Sequence, residues 1–120
     1  MIRTAARVDA NHAEIVRAFR DMNCSVQDLS RVGAGCPDLL IGLRASHGRA
    51  CIAVEVKDGK KFPSQRKLTA EQMIWHNEWQ GAKAIVESVD DVVALVNSYR
   101  RASRKEGRTT LSLPTNAGAS

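Results

Sequence analysis

A mixed α/β fold, one central sheet flanked by helices, is predicted by three features of the sequence. Residues 38–43 and 50–57 are dense apolar runs separated by the turn residues Ala45-Ser46-His47-Gly48, which reads as a β-hairpin. Residues 11–22 and 88–99 carry apolar positions at helical spacing. Thr69-Ala70-Glu71-Gln72 is a capping box that opens a further helix before a short strand at 82–87.

Each element follows in order. Asp9 or Asn11 can cap the first helix, and Asn11-His12-Ala13-Glu14 resembles a capping box with Glu14 at its third helical position. Ile15, Ala18, Phe19 and Met22 then form its core face, and Asn23 stops it. Residues 24–30 alternate and form a short strand; 31–35, Arg-Val-Gly-Ala-Gly, is a loop. After the hairpin, residues 58–67 are polar, carry Gly59 and Pro63, and form an exposed loop. Leu68 and Met73 stand where a hydrophobic staple would place them, the helix runs through Trp79, and Gly81 caps it. Ser88-Val89-Asp90-Asp91 opens the last helix, with Val92, Leu95, Val96 and Tyr99 inward. The order is therefore α-β-β-β-α-β-α. One domain spans 1–101, and 102–120 is a basic, disordered tail.

Composition narrows the class. A chain of 120 residues that is 43% hydrophobic can fold without metal or disulfide, which excludes a wholly disordered protein. No apolar run approaches the roughly 20 residues of a membrane span, and the first residues hold no apolar stretch of signal-peptide length, so a cytoplasmic location is expected. Cys24, Cys36 and Cys51 contain no C-x-x-C pair, and His12, His47 and His76 have no ligand spacing; neither a disulfide framework nor zinc is indicated.

The net charge of +5 is segregated. Lys57, Lys60, Lys61, Arg66 and Lys67 face only Asp58, and Arg100, Arg101, Arg104, Lys105 and Arg108 face only Glu106. Each cluster is a local +4, leaving −3 elsewhere. Such segregation suits a polyanion, because each phosphate contact releases condensed counterions. A solvated loop and a soluble tail account for the charge alone equally well.

The chemistry lies in the second hairpin strand. Ile52, Val54 and Val56 share one face, so Cys51, Ala53, Glu55 and Lys57 share the other. Charge on an interior strand costs several kcal/mol, on the order of the penalty for burying an ion, unless it is compensated. A structural ion pair would suffice. Asp38, however, begins the partner strand and should lie beside Glu55. Two converging carboxylates repel unless a proton or a divalent cation lies between them, and Mg²⁺ suits hard oxygen ligands and phosphate.

Pro37-Asp38, sixteen intervening residues, and Glu55-Val56-Lys57 resemble the PD-(D/E)XK nuclease superfamily. The detail is most similar to its virus-type replication-repair (VRR-NUC) branch and the small phage Holliday-junction-resolvase-like members. Four blocks carry the resemblance in order: 9–16, 35–40, 55–59 and 68–72. It implies a restriction-endonuclease-like αβββαβ core plus a C-terminal helix. The implied activity is Mg²⁺- or Mn²⁺-dependent hydrolysis of DNA, with branched junctions as substrate, a homodimer, and host cytoplasm if the chain is phage-encoded. It further implies Asp38, Glu55, the Val56 carbonyl and Glu14 as metal ligands, Lys57 as the residue orienting water, and Gln72 as a polar site residue. Glu14 and Gln72 can equally serve as capping-box residues. Arg31, Lys60, Lys61, Arg66 and Lys67 would border the DNA backbone, with Arg104 and Lys105 in the tail. Trp75 and Trp79, four apart, serve core packing or a dimer interface. A nicking or restriction-like nuclease, an RNA-processing nuclease and a catalytically idle DNA-binding module are the rival readings.

Overall fold

Alternation of side chains along 39–56 lets one sheet separate a wholly apolar face from one that carries Glu55, and the computed structural model, which describes residues 9–109 with side chains for 9–101, has that arrangement. Helix α1 (His12–Asp21) leads into β1 (Ser25–Asp28), β2 (Leu39–Ala45) and β3 (Gly48–Val56). Helix α2 (Ala70–Glu78), β4 (Lys83–Val86) and α3 (Val89–Thr109) follow. The sheet order is β1-β2-β3-β4, antiparallel across the first three strands and parallel between β3 and β4. The α-β-β-β-α-β-α order predicted from sequence is the order observed.

Register follows from the apolar pattern. Leu39 pairs with Val54 and Ile41 with Ile52, so these residues, with Val56 and Val86, line one face. Helices α1 and α3 cover it with Ile15, Phe19, Val92 and Val96, all at 0% exposure. Each such side chain contributes about 1.5–3 kcal/mol by leaving water. Helix α2 meets the Glu55 end of the opposite face, where Gln72 reaches β3.

Four local expectations change. No side-chain cap forms at the start of α1: Asn11 instead donates through Nδ2 to the Lys57 and Glu87 carbonyls, both at 3.1 Å. Satisfying two otherwise stranded carbonyls outweighs one exposed helix N–H. Helix α2 ends at Glu78, and Gly81 is not its cap. Trp79 turns extended, donates through Nε1 to the Ala82 carbonyl at 3.1 Å, and lays its ring over Gly81, where a Cβ would come within 2.9 Å of it. Helix α3 continues past Arg101 to Thr109, because Ala, Arg, Lys and Glu there favour helix and no proline occurs before Pro114. The tail predicted for 102–120 thus begins as helix, and 110–120 lie outside the described residues. Met73 of the expected staple is 52% exposed.

Candidate active site

The hairpin brings Asp38 and Glu55 together. Extending the Leu39–Val54 pairing by one step sets them opposite each other at the end of the strands. Asp38 Oδ2 accepts the Val56 N–H at 2.8 Å, which ties the two strand ends. Glu55 is only 2% exposed. Its Oε2 accepts from Gln72 Nε2 at 3.0 Å and lies 4.0 Å from Lys57 Nζ. Its Oε1 is buried with no partner.

Gln72 is the hub. Its Oε1 accepts from Lys57 Nζ at 2.8 Å and from the Thr69 N–H at 2.9 Å, while Thr69 Oγ1 accepts the Gln72 N–H at 3.2 Å. The capping box and the Lys57–Glu55 pair are therefore one hydrogen-bonded network through Gln72. A carboxamide can do this because it donates and accepts at once.

Electrostatics follow from this packing. Burial, then hydrogen bonding and repulsion from Asp38, push Glu55 up to about 9, against the Lys57 ammonium. Glu55 therefore keeps its proton at neutral pH, buried beside the Asp38 carboxylate. The Asp9 charge pushes the same way. Burial, then the charges of Glu55 and Asp38, raise the Cys36 thiol, which places it at the same site. His76 is buried one turn beyond Gln72; desolvation, then the charges of Lys83 and Lys57, hold its imidazole below the usual histidine range.

Other predicted residues fall elsewhere. Glu14 is exposed and lines a cleft of about 440 Å³ with Asp58 and Glu87, because the docking of Asn11 turns Ile15 inward and Glu14 away. Asp9, which precedes α1, is the acidic residue of this end of the chain whose charge reaches Glu55. Among the described residues no group of three or more His, Cys, Asp or Glu is placed to hold a metal ion. Two carboxylates still suit Mg²⁺, which keeps several waters and completes its octahedron with substrate phosphates. The orphaned Glu55 Oε1 is the donor such an ion would take.

Of the basic residues, Arg66 is committed to Glu87 at 2.7 Å and to the Lys61 carbonyl, and Lys61 lies 3.5 Å from Asp9. Lys60, Lys67 and Arg31 are exposed, and among the described residues their side chains have no hydrogen bond or ion pair. The side chains of Arg104 and Lys105 lie outside the described residues. His12 pairs with Asp28 at 3.0 Å and joins α1 to β1. Trp75 and Trp79 stack on each other at 4.8 Å, with Trp79 43% exposed, so the pair is not wholly core. No helix among the described residues is long and apolar enough to cross a membrane. No family model matches the chain, and neither a curated protein nor a solved structure matches it.

Proposed function

We propose that this chain is a divalent-cation-dependent nuclease that hydrolyses DNA phosphodiesters, with branched DNA as its substrate. The observation that carries the reading is Glu55, buried against Asp38 with a partnerless oxygen, two residues from a lysine held by Gln72. A buried carboxyl that must keep its proton beside a second, half-buried carboxyl is costly in a resting fold and useful where a cation replaces that proton. Bound Mg²⁺ or Mn²⁺ would polarise the phosphate and acidify its water. Asp38 and Glu55 supply the negative charge for that ion. Lys57, fixed by Gln72, faces the charge that develops on phosphorus-bound oxygen as water attacks and the ester P–O bond breaks. The leaving oxygen takes a proton from solvent. Symmetric cleavage of a junction requires two active sites, so a homodimer belongs to the same proposal; its solution mass tests it.

The deciding experiment incubates a four-way junction, a flap, linear duplex and structured RNA with Mg²⁺. Junction cleavage by the wild type, lost in folded Asp38→Ala and Lys57→Ala, is expected. Preferred cleavage of linear DNA or of RNA would reassign the substrate. Cleavage retained in Asp38→Ala would overturn the mechanism, and salt-dependent binding without any metal-dependent product would leave a binding module.

A further inference from the structure

At the turn end of the hairpin, Arg44 pairs directly with Arg49 across the strands. Like charges in directly opposed positions destabilise a sheet, since their Cβ atoms sit about 5 Å apart. Both arginines are exposed, and among the described residues neither guanidinium has a hydrogen bond or ion pair. They flank a cleft of about 230 Å³ that also exposes Asn23, Ser25 and Gly42, and among the described residues no acidic one lines it. Arg100 adds a third guanidinium nearby, donating through Nε to the Arg44 carbonyl and through Nη2 to the Met22 carbonyl. A cost retained without local compensation is characteristic of a functional surface.

The two arginines share a sheet face with the candidate active site. Along β3 the row runs Arg49, Cys51, Ala53, Glu55; along the β2 side it runs Arg44, Gly42, Leu40, Asp38. Each row begins with an arginine at the turn and ends with a carboxylate at the reactive end. Six residues at about 3.3 Å per residue separate Arg49 from Glu55 by about 20 Å. That distance matches about six phosphates of one strand at 3.4 Å axial spacing.

We propose that Arg44 and Arg49 form a second contact to the phosphodiester backbone of the bound nucleic acid, about 20 Å from the reacting phosphate on the same face of the sheet. The proposal rests on the nuclease reading for its ligand, and its test is kept separate by measuring binding in EDTA, where no cleavage occurs. The full-length chain, Arg44→Gln/Arg49→Gln and the control Arg17→Gln/Arg20→Gln are titrated onto fluorescein-labelled duplex and junction over a range of NaCl. The control removes equal charge from α1, on the other side of the sheet.

For Arg44→Gln/Arg49→Gln the slope of log K against log[NaCl] falls by between roughly one and two, at about 0.9 per lost phosphate contact. Affinity in 50 mM salt drops roughly tenfold to a hundredfold, while the control keeps the wild-type slope. The thermal midpoint of the double variant stays the same or rises, because a like-charge pair is relieved. An unchanged slope, an equal loss in the control, or a lowered midpoint that accounts for the lost binding would overturn the proposal. A loss of slope in a protein that cleaves nothing would sustain this contact and sink the nuclease reading.

Discussion

Glu55→Gln should stabilise the metal-free protein, and the gain should grow with pH. Glu55 ordinarily ionises near 4.5 and is held at about 9 in the fold. Between those values the unfolded chain carries a carboxylate while the folded chain keeps its proton. The folded state then binds more protons, so wild-type stability is full below about 4.5 and declines as pH rises toward about 9. At pH 7 the protein stands two and a half pH units into that decline. At about 1.4 kcal/mol per unit this is a loss of about 3 kcal/mol, an upper bound because the site can relax. Glutamine is neutral throughout and loses nothing. It also reproduces the geometry: its oxygen accepts from Gln72 Nε2 as Glu55 Oε2 does, and its amide takes the place of the partnerless Oε1 and donates toward Asp38.

The assay is urea unfolding in EDTA at several pH values between 5 and 9. A difference of about 3 kcal/mol corresponds to a midpoint shift of about 1 to 3 M. The gap should be smallest at pH 5, about 1 kcal/mol or less, and widen to pH 9. A variant less stable than wild type at pH 8, or a gap that does not change with pH, would refute the retained proton on Glu55. The same change removes one of the two charges offered to a cation, so stability and metal-dependent cleavage should move in opposite directions.

Two further substitutions test how the site is held. Asn11→Ala removes both hydrogen bonds that dock α1 on the ends of β3 and β4, and should cost about 1–3 kcal/mol in chemical denaturation, since the Lys57 and Glu87 carbonyls lose partners; an unchanged midpoint would deny that role. Gly35 has φ +81° and lies against the start of α2, where a Cβ would fall 2.4 Å from the Glu71 carbonyl oxygen. Gly35→Ala should therefore displace Gln72, lowering the thermal midpoint and cleavage together, by about 1–3 kcal/mol in stability; wild-type values for both would show that α2 is not seated by this contact.

Patterns that act over a few residues were legible in the sequence. The alternation of Leu39, Ile41, Leu43 against Ile52, Val54, Val56 determines which face is buried, and a single register then follows, because slipping by one residue would turn every apolar side chain to water. Asp38 and Glu55 meet as a consequence of that register. Thr69 and Gln72 announced the start of α2 because a capping box is a contact between neighbours in the chain. The same locality misled at Asn11 and Glu14, whose spacing fits a box that Asn11 forgoes for two distant carbonyls.

What only the tertiary structure decided are the meetings between distant segments. Gln72 reaches both Lys57 and Glu55, Asp9 bears on Glu55 where Glu14 was expected, and Arg66 is taken out of the basic cluster by Glu87. The pairing of Arg44 with Arg49 follows from the hairpin register, and what the fold adds there is Arg100 of α3, whose guanidinium reaches the Arg44 carbonyl. Sequence fixes periodicity and local hydrogen bonding, which depend on neighbours along the chain. The ionisation of Glu55 depends on what burial removes from around it and on which charges the folded chain brings close.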